Sequence, residues 1–318
     1  MGNSAGGDSM STTLPSGTPP TLEERPAGPR ARIRRGARLT ALVLGVVGLL
    51  VWGLLLFAWM IDETHFDRPS VELDALAAQV DRLPGVSQVQ TDRWVEAPAF
   101  AIPTSWLSAV VDAAALPRLL RAACSTAHPE PLTWSLRVLT AADAEVALHA
   151  TSDPARGAGG DRLCLDFGFD AMALVHELDR AAPGLAIQPT VLDDGGLAFI
   201  ALDEEAPGGF SRLLPLVEHA PDLISAAGLD PNIQVEISSA DLDVQLAPEE
   251  SDAYLVLLTR LADDLAVRSF WSIPAGMGQD RVDKVQIVAP ADQHTAIEDV
   301  VGASGLRIAG APIGFIEP

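Results

Sequence analysis

Two cysteines, six histidines and a large excess of carboxylates are the groups in this chain able to do chemistry, and their spacing assembles no known catalytic motif. His65, His128, His149, His176, His219 and His294 contain no pair at metal-ligand spacing, and neither an H-E-x-x-H helix nor a cysteine-based zinc pattern occurs. No metal and no cofactor are therefore expected. A serine-hydrolase elbow is missing; Gly209-Phe210-Ser211 and Ala303-Ser304-Gly305 match only fragments of it. No phosphate-binding G-x-x-x-x-G-K-[ST] loop is present, and Lys284, the one lysine, lacks a glycine-rich context. Acidic neighbours such as Glu204-Glu205 and Asp263-Asp264 read as solvated charge. Glycoside hydrolysis would need two carboxylates held across a cleft.

Cys124 and Cys164 form an even pair, which reads as a disulfide in an oxidising compartment. The alternative is two buried thiols packed as small apolar side chains. Trp94, Trp106, Trp134 and Trp271 fall in strand-like runs and are expected in the core, because strands favour aromatic residues. Exposed, a tryptophan would instead anchor a partner or a glycan.

The address of the chain is read from residues 39–61, bounded by Leu39 and Ile61. These 23 positions hold no charge and 14 Leu, Val, Ile or Phe residues. As a helix the run would extend about 34 Å, against a bilayer core of about 30 Å. Arg30, Arg32, Arg34, Arg35 and Arg38 precede it and Asp62-Glu63 follow. The positive-inside rule then places the N-terminus in the cytoplasm and residues 62–318 outside. The run is too long for a signal-peptide core and ends without a small-residue cleavage site, so it reads as an uncleaved signal anchor. Gly45 and Gly48 would permit two such helices to approach as a homodimer.

Before the run lie six arginines and three acids; beyond it are 15 basic and 40 acidic residues, a net charge of −25. Such a field repels nucleic acid, so no nucleic-acid partner is expected. Residues 1–38 include a Gly/Ser/Thr/Pro-rich stretch without apolar periodicity, the composition of a disordered cytoplasmic tail. Residues 62–70 read as a juxtamembrane tether.

The remaining chain repeats itself. Leu76–Val86 and Leu174–Leu185 are amphipathic helical runs that share Asp-Arg and end in Pro-Gly, about 98 residues apart. Each is followed by two strand-like runs, a helix carrying Arg-Leu-Leu, and a hairpin. Between the first two strands of the second copy stands Asp193-Asp194-Gly195-Gly196, which suits a tight turn. A shorter third copy starts with an expected helix at Asp252–Asp264 and closes with an expected strand at Leu306–Ala309. The expected class is α+β: a single N-terminal transmembrane helix, then two or three tandem ferredoxin-like βαββαβ modules with antiparallel sheets. Their bounds are 71–160, 161–248 and 249–318, with expected opening strands at Leu163–Phe167 and Leu242–Leu246.

The functional expectation is a single-pass, membrane-anchored extracytoplasmic protein, held in the lipid bilayer by residues 39–61. It would act without catalysis as a binding or scaffolding module of a bacterial cell envelope, with an envelope protein as partner. The alternatives are an envelope enzyme whose site gathers residues distant in sequence, or a one-helix sensor.

Overall fold

A computed structural model describes residues 45, 47–56, 65–96, 102–125, 130–152, 164–202, 209–273 and 282–318. The chain divides into one unit over Met1–Glu63 and a second over Thr64–Pro318.

In the first unit, residues 47–56 are helical and exposed. Ten helical residues rise only about 15 Å, roughly half a bilayer core. Among the described residues no helix is long and apolar enough to cross a membrane. This corrects the expected single-pass anchor and its cell-membrane location with an inside N-terminus and an extracytoplasmic C-terminal domain. Leu39 and Ile61, like Arg30, Arg32, Arg34, Arg35 and Arg38, lie outside the described residues.

Among the described residues the second unit is built on one sheet of twelve strands whose spatial order follows the sequence. The strands are β1 (His65–Asp67), β2 (Val86–Glu96), β3 (Thr104–Asp112), β4 (Leu132–Leu139), β5 (Glu145–Ser152), β6 (Ala186–Val191), β7 (Leu197–Ala201), β8 (Val235–Ser238), β9 (Leu242–Leu246), β10 (Ser269–Ile273), β11 (Lys284–Val288) and β12 (Ile313–Ile316). Antiparallel hairpins β2–β3, β4–β5, β6–β7, β8–β9 and β10–β11 alternate with parallel pairings reached through helices. The helices are α1 (Val71–Asp81), α2 (Leu116–Ser125), α3 (Ala171–Ala181), α4 (Leu214–Glu218), α5 (Ala220–Ala227), α6 (Ser251–Leu265) and α7 (His294–Gly302).

Local chemistry explains many boundaries. Ser70 caps α1 by accepting from the Leu73 amide, and Asp170 caps α3 by accepting from Met172 and Ala173. Gly85 (φ +83°) turns the chain out of α1 into β2, and a Cβ there would come within 2.7 Å of the Ala115 Cβ. In the β6–β7 turn, Asp194 accepts from the Gly196 amide and Gly195 takes φ +89°. Ser239 closes the β8–β9 turn by accepting from the amides of Asp241 and Leu242.

This architecture corrects the expected tandem ferredoxin-like modules. The parallel ladder of β5 with β6 crosses the proposed boundary at 160/161, and that of β9 with β10 crosses 248/249. A single mixed sheet results, where separate antiparallel ones were expected. Of the predicted opening strand at Leu163–Phe167, the described residues 164–167 are coil, and the predicted strand at Leu306–Ala309 overlaps the 3-10 turn Arg307–Gly310, with the last strand beginning at Ile313. Both runs are mostly apolar, and a short, largely apolar run does not distinguish a strand from a packed loop.

Residues paired across a ladder share a face. The register partners Val111–Val138–Val146–Ile187–Ala201, Phe199–Ile237–Val244 and Leu242–Phe270–Ile287 are all buried, so one face of the sheet is the core side. They join Leu119, Leu174, Leu178, Leu223, Leu258 and Ile297 from the helices in a single apolar cluster. Cys124 in the last turn of α2 is bonded to Cys164, 40 residues on, as the sequence suggested. Closing a loop of that length stabilises a fold by up to about 4 kcal/mol in the chain-entropy model. Reduction, or the double substitution Cys124→Ser/Cys164→Ser, is expected to lower the denaturation midpoint correspondingly; an unchanged midpoint would refute a structural role for the bond.

Candidate binding face

Opposite the core, the same alternation leaves a second face to solvent. One row of register partners crosses it without a break: Gln188, Ile200, Ser238, Asp243, Trp271, Gln286 and Gly314. Another runs Gln90, Ser108, Ser135 and His149. The Thr133 and Thr151 hydroxyls meet at 3.4 Å across β4–β5. These side chains are half-buried or exposed, and most carry hydrogen-bonding groups.

A depression of about 220 Å³ lies over β2, β3 and β4, lined by Gln88, Gln90, Trp106, Ser108, Ser135 and Arg137 among others. Its rim is a register break in β2 between Ser87 and Gln90, where Gln88 takes φ +50°. Bulges of this kind re-aim side chains and cluster beside functional sites, and a non-glycine residue in the left-handed region stores strain. Arg137 also lies 3.6 Å from Glu145. Another hollow, of about 360 Å³, sits in the helix layer between α6 and α7, beside Val256, Leu257, Arg260 and Val300.

Three ionisable groups on the open face are displaced from their ordinary behaviour. Burial raises the affinity of Asp243 for its proton. Glu236 is raised first by burial, then by the charges of Asp243 and Asp194. Burial lowers the His149 imidazole, and a hydrogen bond with Gln188 partly offsets that. A carboxyl that keeps its proton unusually well suits acid–base chemistry; here neither acid lines the depression. On the buried side of α6 the chain's one tyrosine, Tyr254, is pushed up to about 12, foremost by burial.

Of the residues singled out in the sequence, Trp134 is buried on the core side, whereas Trp94, Trp106 and Trp271 are half-buried on the open face. His176 is exposed on α3; His219 lies 3.6 Å from Asp222; His294 stacks on Phe315 with ring centroids 3.8 Å apart. His128 lies outside the described residues. Among the described residues no three potential ligands gather to hold a metal. Sequence reasoning missed the polar row. Its signal is the Ser, Thr, Gln and Trp that alternate with buried apolar residues in every hairpin.

No protein-family model and no curated protein matches the sequence. Among solved structures, the chain is similar at 12% identity to the crystal structure of the sex pheromone staph-cAM373 precursor. That likeness covers 56% of this chain and 78% of that one with a TM-score of 0.22, too low to carry an argument.

The displaced carboxyls have a consequence for stability. The folded state holds the protons of Asp243 and Glu236 more tightly than the unfolded chain does. Their contribution is therefore favourable at low pH and is lost as pH rises from the ordinary values of 3.8 and 4.5 through the raised ones. Asp243→Asn and Glu236→Gln are expected to raise the melting temperature at pH 7 by about 1–2 °C. Below pH 4 the variants and the parent should converge. Melting curves across pH 3–8 check this, and a lower melting temperature at pH 7 would contradict it.

Proposed function

We propose that the sheet unit is a non-enzymatic binding or scaffolding module that engages a protein partner through its open face. The observation that carries the reading is the one-sided sheet. The large apolar side chains of the ladder's core cluster point one way, and the other way points a mostly polar array of hydroxyl, amide, carboxyl and indole groups, with Ile200 and Gly314 among them, on a rigid ladder. A rigid scaffold loses little conformational entropy on binding, which leaves more of each contact's energy for affinity. Trp106 and Trp271 combine a broad apolar surface with a polar tip, the character of anchor residues at interfaces. The Gln88 bulge and the depression beside it give the face relief at which a partner side chain gains contact.

Placing a photoreactive benzoyl-phenylalanine at Ser108, on the open face, and separately at Asp252, exposed on α6, distinguishes the two sides of the molecule. In cells of the native host the Ser108 probe is expected to yield a discrete protein adduct, lost on Trp106→Ala, and the Asp252 probe none. Equal adducts from both positions, or none from Ser108, would refute the reading.

A further inference from the structure

The two outer strands of the sheet are protected unequally. β1 is three residues long, ends in Asp67 and is followed by Arg68-Pro69, all features that discourage edge pairing. β12 reads Ile313-Gly314-Phe315-Ile316, with neither charge nor proline inside the strand; Pro312 precedes it and Glu317-Pro318 follow. The carbonyls of Pro312 and Ile316 accept from Val285 and Ala289 at 3.1 Å, so the even-numbered residues address β11. By alternation Ile313 and Phe315 direct their N–H and C=O outward. Among the described residues no strand lies beyond them.

Gly314 sits in the middle of this edge without a backbone reason. Its φ is not positive, the β11–β12 register is unbroken, and a Cβ there would meet nothing closer than 4.0 Å. Glycine weakens a strand, and where neither a bulge nor a bend explains it, the remaining use is close approach by another backbone or ligand. Its missing side chain opens onto a hollow of about 300 Å³ lined by Ile273, Lys284, Gln286, Pro312 and Ile313 among others. Lys284 is the charged member of that lining, in a chain of net charge −22.

We propose that β12 accepts an extended peptide as a thirteenth strand, with an aromatic side chain seated over Gly314 and an acidic one beside Lys284. A residue opposite Gly314 lies on the open-face side, within reach of the hollow. Aromatic residues pack across strands onto glycine in this manner. Since Gln286 pairs with Gly314, Lys284 lies two residues along on the same face. The partner's acidic residue therefore stands two positions from its aromatic one. Main-chain hydrogen bonds to Ile313 and Phe315 supply affinity, and the two side chains supply selectivity. This site is at the opposite end of the sheet from the β2–β4 depression and does not depend on it.

The full-length protein is titrated against the labelled peptide Thr-Glu-Thr-Trp-Thr-Val and its reversed sequence, because a strand adds in either direction. Saturable binding of one of them is expected, with slowed amide exchange at Ile313 and Phe315. Replacing the peptide's Trp by Ala, or Gly314→Val in the protein, should each weaken binding about tenfold. Replacing the peptide's Glu by Lys should weaken it about two- to fivefold, less so in high salt. Gly314→Val should leave the melting temperature unlowered, since valine favours a strand. Absence of binding by both peptides, undiminished binding to Gly314→Val, or unprotected Ile313 and Phe315 amides would each overturn the proposal. So would a protein dimer that Gly314→Val dissolves, which would assign the edge to a second copy of the chain.

Discussion

Ladder register governs this molecule. Paired residues across neighbouring strands must point to the same side, so the apolar set of one hairpin dictates where the apolar set of the next must lie. From Val111 through Val138, Val146 and Ile187 to Ala201 that requirement is met at each pairing, parallel or antiparallel. A one-residue slip at any junction would turn the apolar residues of every later strand toward water. The helices have a single common surface to cover, and the long apolar cluster follows from that.

The same constraint creates the open face. Residues excluded from the core by alternation are gathered into rows, whatever their separation in sequence: Gln188 and Gln286 share one row although they stand 98 positions apart. Half-buried carboxyls and an imidazole on that face are shifted by desolvation first, with neighbouring charges or hydrogen bonds second where they contribute. The rows are thus a product of register, and their polarity is a product of which residues occupy the odd or even places. At the sheet's last strand both consequences meet, because β12 lends its open-face position to Gly314 and its outward backbone groups to solvent.

Most individual elements were legible from periodicity and turn chemistry. Leu242–Leu246 was read without error, and Asp252–Asp264 differs from the observed helix Ser251–Leu265 by one residue at each end. The Pro-Gly stops after α1 and α3 appear as Gly85 and Gly184 with φ of +83° and +74°. The assembly was not legible. A repeat of helices and hairpins is equally consistent with separate modules and with one continuous ladder, and what separates them is the pairing of β5 with β6 and of β9 with β10. That pairing rests on edge backbone groups, which carry no side-chain signature. The apolar run around residues 47–56 misled for a related reason: hydropathy reports a tendency to leave water, and among the described residues the helix there is too short to cross a membrane. The binding face was overlooked because tryptophan defaults to core. Register assigns Trp134 to one side and Trp106 and Trp271 to the other.

Native-state hydrogen exchange under increasing denaturant tests the continuous ladder most directly. Amides of β5, β6, β9 and β10 are expected to merge with the rest of the sheet into one cooperative opening, with the junction pairs Val146–Ile187 and Asp243–Trp271 as protected as the hairpins beside them. Junction amides that exchange rapidly while the flanking hairpins remain protected, or three separate unfolding transitions, would show independent modules and contradict a single sheet with one buried face.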